Sequence, residues 1–350
     1  MMTFEETLKA IQSPDKEAMR QCHARWDSIA KPLHSLGKME DYLIKIAGIT
    51  GSSQINLEKK ALVTMCADNG VVEEGVTQSG QEVTAIVTDN FLTGQATASI
   101  LCKAVGADIF PVDIGVAVDT KAINHKIAYG TKNMTKGPAM TREEAVRALE
   151  VGIHMAEELK EKGYRILATG EMGIGNTTTS SAVASVLLNR TAEEMTGRGA
   201  GLSSAGMDRK VNAIKKAIEV NHPDPTDGVD VLAKVGGFDL AGMAGVFLGG
   251  AALHIPVVID GFISAAAALA AAVICPQVKD YMLAAHLSKE PGAKLILDGL
   301  GMEGALNCDM CLGEGTGAVT LFPILDLACT VYQSMSTFVD IHVEQYEELN

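Results

Sequence analysis

Short apolar runs alternate along this chain with longer stretches of helical periodicity, and that alternation leaves few folds open. Segments 61–67, 109–115, 165–170 and 254–260 read as strands. They lack the in-and-out pattern of a half-exposed sheet, so both faces must be covered, as in a parallel sheet. Helix-like segments lie among them at 81–92, 141–162, 180–188 and 240–253. This order predicts an α/β fold with a doubly wound, mainly parallel, Rossmann-like sheet. Ligands in such folds sit outside the carboxyl ends of the strands. Most of the Gly-rich turns of the chain fall there. The two ends differ from the middle: both read as helical and charged. The expected organisation is an α/β catalytic domain over 31–320 and a small helical domain formed by 1–30 plus 321–350.

The apolar runs also have to be weighed as membrane spans. Residues 240–259 carry no charge, and 262–275 follow as a second apolar run. The first is rich in Gly and holds His254 and Pro256; the second is mostly Ala and too short to span. Neither has a flanking Lys/Arg bias. A buried core helix followed by a strand is the expectation. The chain's net charge of −14 opposes duplex nucleic acid, and its 4% aromatic content offers no platform for single strands. An anionic ligand would have to be held by local dipoles and a few placed cations. The seven cysteines are scattered and odd in number, which fits a reducing compartment better than a disulfide framework. The acidic start Met1-Met-Thr-Phe-Glu-Glu6 has no apolar stretch and does not read as a signal peptide. A cytoplasmic protein is expected.

Four motifs could carry chemistry. In Thr169-Gly-Glu-Met-Gly-Ile-Gly-Asn-Thr-Thr-Thr-Ser-Ser181, a strand passes into a helix. Gly173 and Gly175 let a ligand approach the backbone, and Asn176 and Thr177 are good helix-starting residues. Such a helix start can hold a phosphate, or it can be an ordinary turn. Glu171, inside this turn, could bind ribose hydroxyls or face water. The segment Gly197-Arg-Gly-Ala-Gly201, with Lys210 on the next helix, has the wrong glycine spacing for a dinucleotide fingerprint. It reads as a phosphate loop with one cation, or as a surface loop with a solvated lysine. In Met310-Cys-Leu-Gly-Glu-Gly-Thr-Gly-Ala318, Glu314 stands between two glycines in an apolar neighbourhood. Burial raises a carboxyl's pKa toward neutrality and suits it to general-base work, although a lone Glu in such a turn is more often exposed. The pair Cys308 and Cys311 has no second pair to complete a zinc site and reads as small packed residues. The eight histidines are dispersed, so no metal is expected, and no cofactor.

Taken together the motifs resemble the nicotinate-nucleotide–dimethylbenzimidazole phosphoribosyltransferase family. The resemblance runs from about 24 to 327. It rests on Ser35-Leu-Gly37, Gln81-Glu-Val-Thr84, Gly130-Thr-Lys-Asn133, Gly137-Pro-Ala-Met-Thr-Arg142 and Gly170-Glu-Met-Gly-Ile-Gly-Asn-Thr-Thr178, in that order. It continues through Gly197-Arg-Gly199, Gly236-Gly-Phe-Asp-Leu-Ala-Gly242, Asp260-Gly-Phe262, Glu290-Pro-Gly292 and Leu312-Gly-Glu-Gly-Thr-Gly317. The resemblance implies transfer of phosphoribose from nicotinate mononucleotide to a nitrogen of an aromatic base, with inversion at the anomeric carbon and release of nicotinate. It implies Glu314 as general base and Glu171 near the ribose and the departing nicotinate. Gly173, Gly175, Asn176, Thr177, Gly199, Lys210 and Ser288 would form the phosphate and ribose pocket. Gln81, Met172 and Leu312 would line the base slot, with Ser79 beside them. A homodimer is also implied.

The chain departs from the family pattern in three places. Asn69 stands in Ala67-Asp-Asn-Gly70 where the family usually has His. Thr77-Gln-Ser-Gly80 replaces a stretch that often carries an aromatic residue and a Pro. Lys31-Pro-Leu-His-Ser-Leu-Gly37 replaces the usual Lys-Pro-Pro-Gly-Ser-Leu-Gly. The second change removes stacking area from the base slot. It leaves 5,6-dimethylbenzimidazole, simpler benzimidazoles, purines and phenols as acceptors to be distinguished. Two rival readings are a non-catalytic partner subunit on this fold and a dinucleotide-dependent oxidoreductase. The retained Glu314 and phosphate-turn glycines oppose the first, and the glycine spacing opposes the second.

Overall fold

The computed structural model describes residues 1–199 and 201–347. Ala200, within the Gly197–Gly201 segment, and 348–350, at the end of the acidic tail, lie outside the described residues. Six parallel strands form one sheet: β1 (Lys60–Ala67), β2 (Ala107–Gly115), β3 (Ile123–Asn124), β4 (Ile166–Met172), β5 (Val257–Ile259) and β6 (Met282–Ala284). Their order is β3-β2-β1-β4-β5-β6. The chain winds outward from β1 in one direction and then, from β4, in the other. The strand order therefore reverses between β1 and β4, and a crevice opens past their carboxyl ends.

Every residue of β1 is buried. Ala61, Val63, Met65 and Ala67 join one hydrophobic cluster, while Leu62 and Cys66 join the cluster on the opposite face. This two-sided burial is what the unalternating apolar run requires. The expected strand 254–260 is only Val257–Ile259, because His254 takes a left-handed turn at φ 57° that closes the preceding helix. β3 and β6 have two and three residues, too few to show as a run.

The expected helices are present as Glu82–Thr93, Arg142–Glu161, Asn176–Leu187 and Phe238–Ala252. Arg142–Glu161 begins with a capping box between Thr141 and Glu144. The uncharged run at 240–259 is the core helix Phe238–Ala252 leading into β5. No helix among the described residues is long and apolar enough to cross a membrane. Phe238–Ala252 is buried throughout and lies backbone to backbone against Arg142–Glu161. A Cβ on Gly245 would stand 2.0 Å from the Leu149 carbonyl oxygen, and one on Gly152 would stand 2.0 Å from that of Gly242.

At the N-terminus, Phe4–Ala10 sits on this helix pair, where Met2 N and Phe4 N donate to Glu157 and Glu150. The next helix, Lys16–Ser28, packs on Lys38–Thr50. It also meets the C-terminal segment: the Trp26 and Tyr332 rings lie 5.1 Å apart, and Phe338 N donates to Ser28 O.

Candidate active site

A cleft of about 220 Å³ opens at the carboxyl ends of β1 and β4. Of the residues singled out from the sequence, Ser79, Glu171, Met172, Gly173, Gly175, Asn176, Thr177, Gly199, Ser288, Leu312 and Glu314 all line it. Lys210 and Gln81 do not reach its wall. Lys210 lies one residue behind it, against Thr177, and Gln81 donates to the Asn69 carbonyl, which is not part of the wall.

The glycine turn follows directly from β4. Gly175, at φ 95°, starts the helix Asn176–Leu187, and no side chain caps it. Backbone N–H groups and the positive end of the helix dipole are therefore available to an anion. Gly173 is required by space: a Cβ there would lie 2.4 Å from Ala67 O and 2.7 Å from Asp239 Oδ2. Lys210 is fully buried, and its Nζ donates to Thr177 Oγ1 at 2.8 Å and to Gly197 O at 3.1 Å. Burial pushes its ammonium down to about 8, and the nearby Glu290 opposes that shift. The lysine is thus not a solvated surface cation. It braces the turn and the Gly197–Gly199 loop together.

Glu314 occupies a left-handed conformation (φ 62°) between two glycines of the same hand, Gly313 and Gly315. This sharp turn aims the side chain across to the helix Thr97–Val105, where Oε2 accepts Ala98 N at 3.2 Å. Burial raises the Glu314 carboxyl above its ordinary range, and the Ala98 N–H at that helix start pulls against it. The opposing effects suit a carboxylate that is ionised yet still basic.

Glu171 is buried at the end of β4. Its Oε1 accepts Glu314 N at 3.3 Å, and its Oε2 accepts the Asn176 amide. Burial, reinforced by Asp239, pushes this carboxyl up to about 8. Asp239 is itself raised by burial to about 6 while Leu240 N and the Asn176 and Asn69 amides hold it down. Proton retention by Glu171 near neutrality limits the negative charge behind the glycine turn.

Four further cleft residues, Asp260, Phe262, Arg198 and Glu290, stand in the sequence motifs without an assigned role, and His286 stands in none of them. Asp260 belongs to the Asp260-Gly-Phe262 motif, but its partners come from elsewhere in the chain. It accepts Ala318 N at 2.9 Å and has His286 Nε2 at 3.8 Å. Burial raises Asp260, with His286 opposing. The segment at 77–79 reaches over the opening, where Gln78 Nε2 donates to Gly201 O. Phe262 is an aromatic side chain among the residues lining the cleft.

The sheet order and this cleft define a doubly wound α/β protein with an uncapped helix start opening into a cleft at the reversal of strand order. The phosphoribosyltransferase family model matches residues 11–343. The chain is 52% identical to nicotinate-nucleotide–dimethylbenzimidazole phosphoribosyltransferase of Acetivibrio thermocellus, over 98% of each chain. It is 51% identical to the protein of that name from Ruminiclostridium cellulolyticum, over 99% of this chain and all of the other. Among solved structures, CobT from Thermus thermophilus matches with a TM-score of 0.89 at 38% identity, covering 94% of this chain and 100% of that one. The chain belongs to the nicotinate-nucleotide–dimethylbenzimidazole phosphoribosyltransferase family.

Proposed function

We propose that this enzyme transfers the phosphoribosyl group of nicotinate mononucleotide to a ring nitrogen of 5,6-dimethylbenzimidazole or a related base. The observation that carries the reading is the shared cleft: an uncapped helix start for phosphate and the Glu314 carboxylate open into the same space. The nucleotide's phosphate sits on the turn Gly173–Thr177, with Gly199 and Ser288 beside it and Lys210 bracing it from behind. Glu171, protonated near neutrality, lies where its proton can be offered to a ribose hydroxyl or to the departing nicotinate. The acceptor base slides between Met172, Leu312 and Ser79, and Gln81 shapes that slot through Asn69.

The acceptor's nitrogen lone pair forms a bond to the anomeric carbon from the face opposite the nicotinate. The bond from that carbon to the pyridinium nitrogen breaks, and its electron pair leaves with nicotinate. Glu314 takes the proton from the acceptor's other N–H. The configuration inverts to the α-ribotide 5′-phosphate. The pyridinium is already a good leaving group, and holding both reactants in line supplies much of the remaining acceleration.

A cytoplasmic homodimer belongs to the same reading. So does the division into an α/β body (31–320) and a helical unit (1–30 with 321–350). Contacts of Lys16–Ser28 with Tyr332 and Phe338 support the helical unit, whereas Phe4–Ala10 packs on the α/β body through Glu150 and Glu157. The test is to incubate the protein with nicotinate mononucleotide and a panel of benzimidazole, purine and phenol acceptors. Nicotinate and an α-ribotide are expected with 5,6-dimethylbenzimidazole. No nicotinate release with any acceptor would overturn the reading.

A further inference from the structure

The departure at Lys31-Pro-Leu-His-Ser-Leu-Gly37 finds no use in the cleft, yet His34 holds a conformation that few side chains adopt. Its φ is 56°, in the left-handed region that favours glycine. A non-glycine residue there is strained, and its imidazole is not idle. It meets two residues of the helix Lys16–Ser28, His23 and Asp27, one turn apart on the same face. The donor atoms of His23, Asp27 and His34 all lie within 4.8 Å of one another. His23 Nδ1 is 3.0 Å from Asp27 Oδ2, and the two imidazole centroids are 5.7 Å apart at an interplanar angle of 49°.

We propose that His23, Asp27 and His34 form a binding site for a borderline divalent transition metal, with Zn²⁺ as the representative ion. Two imidazole nitrogens and one carboxylate oxygen are a donor set that such ions favour over Mg²⁺ or Ca²⁺. A tetrahedral ion with bonds of about 2.0 Å separates its ligand atoms by about 3.3 Å. The His23–Asp27 pair is already near that spacing. The widest separation in the group has to close by at most roughly 1.5 Å, within reach of side-chain rotation for exposed residues. Water would complete the coordination, because all three groups are partly or fully open to solvent.

The site lies outside the cleft and joins the helix Lys16–Ser28 to the 31–37 loop. That loop is anchored from within by the buried Lys31–Glu40 ion pair, 2.7 Å long, and by Leu36 N donating to Glu40. A bound ion would tie the loop to the helix from outside, so its expected effect is on stability rather than on turnover.

The experiment uses the full chain, stripped with a chelator and then titrated with ZnCl₂ by calorimetry. Co²⁺ serves as a spectroscopic probe: Trp26, the only tryptophan, sits between His23 and Asp27 in sequence, and its fluorescence should be quenched by bound Co²⁺. One Zn²⁺ per chain is expected, with a raised melting temperature. His34→Gly, which suits the left-handed backbone, and His23→Gln should each weaken Zn²⁺ binding roughly tenfold or more and remove the Trp26 quenching by Co²⁺. Both variants should keep the chelated enzyme's activity. Absence of saturable binding would overturn the proposal. So would unchanged affinity in either variant, or loss of binding in a Cys308→Ser/Cys311→Ser variant instead, since those two exposed thiols are the competing ligands.

Discussion

At the residue scale, the site works through how burial redistributes protons. Glu314 is held partly buried against a helix start, whereas Glu171 is sealed beneath it. Replacing Glu314 by Gln keeps the shape and removes the proton acceptor. Turnover should fall about 10²–10⁴-fold with the fold intact, as judged by circular dichroism beside nicotinate release. Full activity in that variant would remove Glu314 from the mechanism. Glu171 makes a separate prediction about stability. Its ordinary value of 4.5 rises to about 8 in the fold. Between these values the unfolded chain carries the carboxylate while the folded chain keeps the proton, so raising the pH through this window favours unfolding. Glu171→Gln removes that titration. Urea melts should show wild-type stability falling more steeply than the variant's from pH 5 to 8, by roughly a few kcal/mol. Parallel curves would mean that Glu171 is ionised in the fold. Asp239 titrates in both proteins, so the difference reports Glu171 together with its coupling to Asp239.

At the scale of elements, glycines decide where backbone may approach backbone. The turn after β4 reaches the cleft only because Gly173 leaves room for Ala67 O and Asp239. Gly173→Ala must shift the turn proposed to hold the nucleotide's phosphate. The expected result is a KM for nicotinate mononucleotide raised roughly tenfold or more, since a displaced N–H forfeits a hydrogen bond to a charged group worth about 1.5–3 kcal/mol. An unchanged KM would separate this turn from phosphate binding. The contact between Arg142–Glu161 and Phe238–Ala252 offers a stability counterpart. Gly245→Ala sets a methyl 2.0 Å from a carbonyl oxygen, and overpacking of this sort costs typically about 1–3 kcal/mol. The melting temperature should drop while the cleft residues stay in place.

These elements also show what a sequence can disclose. The central strands and the glycine turns were legible because each is a contiguous run with its own physical signature. β3 and β6 were not, since two or three residues make no pattern. The Asp260–His286 contact joins separate elements, and no spacing announces it. Lys210 was placed near phosphate by resemblance, but its complete burial depends on helix packing that no local pattern shows. The same limit hid the grouping of His23, Asp27 and His34: the first two are one helical turn apart, and the third arrives through a loop.

At the scale of the whole molecule, the cleft's surroundings bear on assembly. The helices Glu82–Thr93 and Thr97–Val105 border the site, the latter through Ala98 on Glu314. They expose Ile86 (64%), Leu92 (50%) and Ile100 (54%). Large aliphatic side chains left open on neighbouring helices are the kind of surface that a second subunit covers. If the proposed homodimer uses these helices, association and catalysis are linked, because the helix start that orients Glu314 would rest on the interface. Light scattering should then give twice the chain mass for the wild type and a monomer for Ile86→Glu/Ile100→Glu. The monomeric variant should lose turnover, because the start of Thr97–Val105 holds Glu314 through Ala98 N, and also lose affinity for the nucleotide, because Ile174 N in the turn after β4 donates to Thr84 Oγ1 of Glu82–Thr93 at 3.1 Å. A dimer that survives the double substitution would place the interface elsewhere, and a fully active monomer would break the link between assembly and the orientation of Glu314.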